Sequence, residues 1–286
     1  MEMTFRKKDG VTLIELLIVL VIAGFLAAAI YRTFLGQQKT YVVQEQVVDT
    51  QQNARLSIER MMREIRSAGF GNVSKVLPVT LSSGTYNNVV NPNTPSAGSL
   101  TILSAIQGAG SLTVEGTAGQ NQIKVSMVTD PLGNTLLDTG DRKYISIGGV
   151  ESHRISSIDG GTKTLTLAEP LILTHPVGTL LFGIRATSYQ VEEVAGISLI
   201  TINENSGSGS QPLTDNIEAL QFRYTLADGT QTDSPVNPGD IRMVRVSVTA
   251  RTSVSDPDLK GGDGYRRRQF ASNVHLKNMG IVGIAP

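Results

Sequence analysis

A single acidic side chain, Glu15, lies inside a strongly apolar segment, and its position has a direct chemical consequence. Residues 11–31 contain only Thr12, Glu15 and Gly24 outside the apolar types. About 20 such residues span the hydrocarbon core of a bilayer, so the segment predicts a transmembrane helix. A carboxylate near the centre of such a helix costs roughly 2.5 to 3.5 kcal/mol, and less toward an end. Glu15 therefore needs a partner or a function, unless it only reaches the lipid headgroups from its place near the helix start.

The residues before the apolar segment indicate where a partner could come from. Residues 6–8 are basic and Gly10 precedes Val11, without the apolar stretch that an ordinary secretory leader has ahead of its cleavage site. The basic residues predict that this end stays cytoplasmic while the rest of the chain is exported. If a peptidase cut after Gly10, the new amine of Val11 would be a cation about 6 Å along the helix axis from Glu15.

Residues 7–15, KKDGVTLIE, resemble the cleavage and methylation motif of type IV prepilins, which combines a short basic leader, a glycine, a Thr-Leu-x-Glu sequence and a long apolar helix. The resemblance implies that the prepilin peptidase, a membrane aspartic peptidase, cuts between Gly10 and Val11 and methylates the amine of Val11. It also implies that Glu15 pairs with the amine of a neighbouring subunit, which makes it an assembly register residue satisfied only in the fibre. Val11 departs from the family, which most often has phenylalanine at this position.

The helix is predicted to continue beyond the membrane, with residues 32–70 as its amphipathic half. Apolar residues recur there at helical spacing without an intervening proline, and Gly69 and Gly71 are expected stop signals. The expected apolar stripe consists of Val42, Val43, Val47, Val48, Ala54, Ile58, Met61, Met62 and Ile65. The expected surface ion pairs, at a spacing of four residues, are Glu59 with Arg63 and Arg60 with Glu64.

Two further segments narrow the resemblance. Residues 51–72, QQNARLSIERMMREIRSAGFGN, resemble the second half of the long helix in minor pilins of the PilW type, both in the Asn-Ala-Arg start and in the Ala-Gly-Phe-Gly ending. The J-type pseudopilin of type II secretion is the nearest competitor, and this ending fits it less well. Residues 216–224, NIEALQFRY, resemble the start of the sheet region in both families, so they do not separate the two.

Residues 71–286 are predicted to form a β-rich periplasmic or extracellular domain. Residues 77–122 are rich in Ser, Gly, Asn, Thr and Pro and are read as a loop-rich insertion with a few strands, including apolar patches at 100–106 and, just beyond the insertion, 123–128. Between residues 143 and 182 the runs KYISI, HRISSI, KTLTL and PLILT predict short strands, with a hairpin turn at 158–162. The last third alternates best, and Val244, Val246 and Val248 are predicted to face inward. The expected fold class is α+β: a long N-terminal helix, transmembrane then amphipathic, packed on an antiparallel sheet domain as in the pilin fold, with loop-rich and β insertions.

Composition and motifs argue against several other classes of function. The chain has 25 basic and 25 acidic residues and no cysteine, so it shows no basic excess for nucleic acid and no thiolate chemistry. Its histidines, His153, His175 and His275, are expected to be isolated in strand-like segments, and no hydrolase, phosphate-loop or dinucleotide motif is present. We therefore expect no enzyme activity, no cofactor and no catalytic or metal site.

Two sets of charged residues near the C-terminus each allow more than one interpretation. Asp256, Asp258 and Asp263 could suggest a calcium loop, but Lys260 occupies a position where a calcium loop needs a ligand, and a turn between strands is the preferred interpretation. The basic residues 266–268 could contact a partner or an anionic surface. A run of charges at the start of a strand more often faces solvent or protects a sheet edge.

The function expected from the resemblance is that of a minor pilin in a priming or tip complex of type IV pili. The alternatives are a J-type pseudopilin of type II secretion and a pilus-borne adhesin that binds through residues 77–122. The implied partners are the prepilin peptidase, other minor pilins, the major pilin, the inner-membrane assembly platform and, before assembly, inner-membrane lipid. The expected location is the inner membrane, single-pass with a cytoplasmic N-terminus, and then the pilus or cell surface.

Overall fold

A computed structural model describes residues 11–93, 98–256, 259 and 261–279, without the side chain of Gln107. The predicted leader, including Gly10, lies outside the described residues, as does Asp258. The chain divides into two units, Met1–Asp49 and Thr50–Pro286. Each unit is described by itself below.

One long helix, α1 (Leu13–Arg66), runs from the first unit into the second. In the first unit every side chain of residues 11–42 is exposed, including Val42 of the predicted apolar stripe. Among the described residues α1 alone is long and apolar enough to cross a membrane. A helix whose exposed surface is apolar on all sides suits lipid or the packed core of an assembly rather than water.

The second unit holds the rest of α1 and fifteen described strands. They are β1 (Val79–Leu81), β2 (Gly84–Tyr86), β3 (Val90–Pro92), β4 (Leu100–Ser111), β5 (Gln122–Lys124), β6 (Tyr144–Ile147), β7 (Glu151–Asp159), β8 (Thr164–Leu167), β9 (Leu180–Val194), β10 (Ile197–Asn203), β11 (Ser210–Asp215), β12 (Ile217–Leu226), β13 (Gln231–Thr232), β14 (Ile241–Arg251) and β15 (Arg267–His275). Two 3₁₀ turns, Val73–Val76 and Pro238–Asp240, follow α1 and precede β14.

The strands form three sheets, and all of their described pairings are antiparallel. The largest sheet has the order β11-β10-β9-β6-β7-β8-β5, with β4 also paired to β9 and β3 paired to β4. The second has the order β13-β12-β14-β15, and β1 and β2 form a separate hairpin. The β7–β8 hairpin confirms the predicted turn at residues 158–162, where the Asp159 carboxylate accepts hydrogen bonds from Gly161 N and Thr162 N.

The second half of α1 packs against these sheets through one apolar face. Ala54, Ile58, Met61 and Ile65 are buried in a core shared with β9, β10, β12 and β14. On β14 the inward residues are Val244, Val246 and Val248, all fully buried as predicted. The predicted α+β class, with a long helix on antiparallel sheets, is therefore confirmed.

Several local predictions are wrong in detail. The run PLILT, residues 170–174, is a loop rather than a strand. Residues 77–122 are less loop-like than expected, because they contain β1 to β4, and β4 is a 12-residue strand of the largest sheet. On α1, Glu59 pairs with Arg55 at 2.9 Å instead of with Arg63, whereas the predicted Arg60–Glu64 pair is present at 3.5 Å.

The end of α1 is set by glycines, as predicted. The helix stops at Arg66, and Gly69 and Gly71 adopt left-handed φ values of +78° and +88°. Gly71 also lies against β4 and β6, because a Cβ there would be 2.3 Å from the Cβ of Ala105. Glycine is required at this turn for both its backbone conformation and its lack of a side chain.

Candidate functional site

The first turn of α1 brings the predicted site residue Glu15 into contact with Thr12, the residue that follows Val11. The carbonyl of Thr12 accepts the first helical hydrogen bond, from Leu16 N at 3.2 Å, so Thr12 is the N-cap residue. Thr12 N and Thr12 Oγ1 each donate to Glu15 Oε2 at 2.9 Å. Glu15 N in turn donates to Thr12 Oγ1 at 3.3 Å. This reciprocal arrangement is a capping box, with threonine at the N-cap and glutamate three residues later.

The capping box corrects one expectation about Glu15. Its carboxylate is not without a partner in the single chain, because Thr12 supplies two donors. It has no ion-pair partner among the described residues, so its charge is hydrogen-bonded but not neutralised. The carboxylate is held one residue away from Val11, the residue that would carry the new amine after cleavage.

Two of the three histidines meet at a buried carboxylate, so the expectation that they are isolated is wrong for His153 and His175. His153 Nε2 lies 2.7 Å from Glu151 Oε1, and His175 Nε2 lies 2.8 Å from Glu151 Oε2. All three residues are at most 4% exposed. Only His275 is exposed and apart from this cluster, at the end of β15.

The Glu151 carboxylate also ties a loop to the sheet. The backbone N–H groups of Ile172 and Leu173 donate to its two oxygens. Burial alone would raise the pKa of Glu151, but hydrogen bonds from the two backbone groups and from His175 and His153 outweigh it and lower the pKa. An ionised Glu151 only accepts hydrogen bonds, so both imidazoles must carry their proton on Nε2.

The chemistry of this cluster is that of a buried structural network. Each carboxylate oxygen is already bonded to one imidazole and one backbone N–H, so neither is free to activate a nucleophile. No group of three or more potential ligands that could hold a metal ion occurs in the part of the chain that the structure describes.

The acidic residues before β15 form ion pairs with the basic residues at and just before the start of this strand. Asp256 accepts from Arg266, with an Nη2–Oδ2 distance of 2.6 Å. Arg267 binds Asp263 and Glu218 with two nitrogens each, and this pairing lowers the pKa of Asp263. The carboxylates considered for calcium are thus bonded to guanidinium groups where the structure describes them. Two of the three arginines considered for partner contact are in the same ion pairs.

Only one part of the histidine cluster could have been predicted from the sequence. Glu151 and His153 are two residues apart on β7, and residues at this spacing share one face of a strand. His175 and the two backbone donors come from a loop more than 20 residues later, and its contact with Glu151 depends on the sheet topology.

Comparison with known proteins supports the N-terminal motif. Residues 5–31 match the family model described as the prokaryotic N-terminal methylation motif. No curated protein sequence matches the chain significantly. A similar solved structure is a type IV-like pilin from Thermus thermophilus, with 12% sequence identity, a TM-score of 0.36, and coverage of 80% of this chain and 97% of that chain. A TM-score this low carries no argument about fold or function. What the comparisons give for this chain is therefore an N-terminal methylation motif at residues 5–31.

Proposed function

We propose that this protein is a minor pilin that takes part in assembling a type IV pilus, in a priming or tip complex. The observation that carries the proposal is the N-terminal methylation motif over residues 5–31, located at the start of an exposed apolar helix. An apolar helix of this length must be covered by lipid before assembly and by other helices afterwards. The role is structural, and no catalytic step is assigned to it.

Processing supplies the positive charge that can pair with the Glu15 carboxylate. In the proposed sequence the prepilin peptidase cuts between Gly10 and Val11 and methylates the Val11 amine, while the helix waits in the inner membrane with its N-terminus at the cytoplasmic side. The assembly platform then moves the helix into the growing fibre. There it contacts other minor pilins and the major pilin, and the protein leaves the membrane for the pilus.

The balance of energies favours pairing of Glu15 with an amine. Two unit charges about 4 Å apart attract by roughly 4 kcal/mol at an effective dielectric near 20. Before the cost of desolvating the charges is counted, this attraction is enough to offset the roughly 2.5 to 3.5 kcal/mol that a carboxylate costs near the centre of a membrane helix. The Thr12 hydrogen bonds reduce the cost for a single subunit but leave its net charge in place. Glu15 thus favours the stagger of helices that brings an amine beside it.

The first test is mass spectrometry of the N-terminus, performed separately on sheared surface fibres and on inner membranes. An N-methylated Val11 terminus in fibres, at a low ratio to the major subunit, supports the minor pilin. A processed terminus confined to membranes would leave a J-type pseudopilin or a primer that stays at the base of the fibre. An unprocessed Met1 in both fractions refutes processing, and Glu15 then only reaches the headgroups.

A pair of substitutions tests the role of Glu15. We expect Glu15→Ala to leave the protein exported and processed but strongly reduced in fibres. Glu45→Ala, an exposed glutamate later on the same helix, is the matched control and should incorporate normally. Unchanged incorporation of Glu15→Ala would show that Glu15 does not set the register.

A further inference from the structure

A cleft of about 750 Å³ opens beside the buried histidine cluster, and nothing in the proposed assembly role uses it. One wall is formed by the 3₁₀ turn Val73–Val76 and the chain that follows it. The second wall is formed by β6 and β7, and the third by the loop at residues 168–172. Its volume lies within the range of small-ligand sites, roughly 300 to 1,000 Å³.

Each of these walls contributes charge, and the balance is positive. Lys75 comes from the first wall and Lys143 and Arg154 from the second, whereas Glu169 is the single carboxylate in the lining. The side chains of Lys75, Lys143 and Arg154 form no salt bridge with any other described residue. Lys143 Nζ instead lies 5.7 Å from the centre of the Tyr144 ring. Hydrogen bonds from Ser82, and to a lesser extent the charge of Lys143, lower the pKa of Asp141. Lys75 and Arg154 are therefore the two lining cations without a carboxylate partner among the described residues. Cations from separate walls of one cleft favour an anionic ligand.

Buried hydrogen bonds hold the walls in place. The Tyr144 hydroxyl accepts from Thr80 N at 3.0 Å, which joins the chain after the 3₁₀ turn to β6. Glu151 joins β7 to the loop through the N–H groups of Ile172 and Leu173. The cleft therefore exists before a ligand arrives, which reduces the ordering cost of binding.

The lining of the cleft also includes a buried histidine and several apolar side chains. His153 is 4% exposed and lines the cleft, with Nε2 committed to Glu151 and no hydrogen bond to Nδ1 from any described residue. Pro78, Pro170 and Ile172 are exposed lining residues, so apolar surface lies beside the cations. This combination suits an acid carried on a ring with an apolar face better than a bare inorganic anion.

We infer that this cleft binds an acidic saccharide, with its carboxylates on Lys75, Lys143 and Arg154 and the apolar face of a sugar ring on Pro78, Pro170 and Ile172. Such binding would give the protein a recognition function in addition to assembly. The inference does not depend on processing or on incorporation into a fibre, so the two proposals can fail separately.

The test is calorimetric titration of the full-length protein in detergent with trigalacturonate, using its fully methyl-esterified form as the uncharged control. We expect the acid to bind more weakly as salt rises, and the ester to bind at least about tenfold more weakly than the acid. Single substitutions Lys75→Gln and Arg154→Gln should each reduce affinity about tenfold, and the triple variant with Lys143→Gln should show no measurable binding. Lys124→Gln and Arg268→Gln, exposed cations outside the cleft, should bind like the wild type.

Three results would overturn the inference. The first is no binding of trigalacturonate by the wild type, and the second is unchanged binding by the triple variant when its thermal unfolding matches that of the wild type. The third is binding of inorganic phosphate as tight as that of trigalacturonate, because a bare anion makes no use of the apolar side chains. Fibre incorporation, measured on the same variants, should remain normal in every case.

Discussion

Replacing Glu151 should destabilise the β-rich unit more than any other single loss of charge in the described structure. In Glu151→Ala the four donors on this carboxylate lose their acceptor: the two imidazoles and the N–H groups of Ile172 and Leu173. A buried donor left unpaired costs about 1 to 3 kcal/mol, although water entering the space recovers part of it. Removing one partner of a buried charged network typically costs about 3 to 5 kcal/mol, and we expect a loss in that range.

Glu151→Gln removes the negative charge of this side chain but keeps nearly the same shape. The glutamine carbonyl can still accept two of the four hydrogen bonds, but its amide nitrogen faces the other two donors. We expect a loss of about 1 to 3 kcal/mol at neutral pH. The assay is urea unfolding of the full-length protein in detergent, followed by the β-sheet signal in circular dichroism. Glu169→Gln, an exposed residue nearby, should change stability by less than about 0.5 kcal/mol.

The pH dependence of the free energy of unfolding tests the ionised state of Glu151 more directly than the size of the stability loss does. The folded pKa of Glu151 lies below its ordinary value of 4.5, so its ionised form contributes stability above pH 4.5. That contribution disappears as the pH falls through the folded pKa, whereas the glutamine variant has no such titration. The stability gap between wild type and Glu151→Gln should therefore shrink as the pH falls from above 4.5 through the lowered folded pKa. A gap that stays constant over this range, or Glu151→Ala within 1 kcal/mol of the wild type, would refute the reasoning.

Three further predictions concern packing and surface charge. Met61→Ala, on the fully buried face of α1, should lose about 2 to 5 kcal/mol in urea unfolding, whereas Leu56→Ala on the exposed face should lose less than about 0.5 kcal/mol. Gly71→Ala should be strongly destabilising, and adding Ala105→Gly should restore only the part due to the 2.3 Å approach to Ala105. The parts due to the 2.9 Å approach to Ser146 and to the left-handed φ should remain, and full rescue would show that neither matters. Arg267→Gln should lower the melting temperature at low salt and have a smaller effect at high salt; an effect independent of salt would contradict an electrostatic role for its two carboxylate contacts.

Elements with a strong repeating pattern were predictable from the sequence. The helix, the β7–β8 hairpin and the inward face of β14 follow from period and turn residues, and the structure confirms them. The prediction of a strand at the run PLILT was wrong. The apolar residues of this run alternate as in a strand, but Ile172 N and Leu173 N donate to Glu151 rather than to a neighbouring strand. Pattern alone does not show which acceptor a backbone N–H will find.

Sites built from distant residues were not predictable in the same way. The contact between Glu151 and His175 joins a strand to a loop, and the cationic cleft joins side chains from three segments. The choice of Arg55 over Arg63 as the partner of Glu59 shows the same limit within one helix, since both lie four residues away. Spacing defines which contacts are possible, and tertiary packing selects among them.

The N-terminal site differs from these because its chemistry is local. Thr12 and Glu15 are three residues apart, and their hydrogen bonds follow from helix geometry alone. Both Thr12 donors reach Glu15 Oε2, but only a cation compensates the charge of the carboxylate. In the proposed role, a subunit in the membrane therefore carries a carboxylate that is hydrogen-bonded and still charged. Under that proposal, pairing with a processed amine acts in addition to the cap. On this argument, removing the Thr12 hydroxyl should raise the cost of membrane residence, whereas removing the Glu15 charge should abolish the preference for one helix stagger.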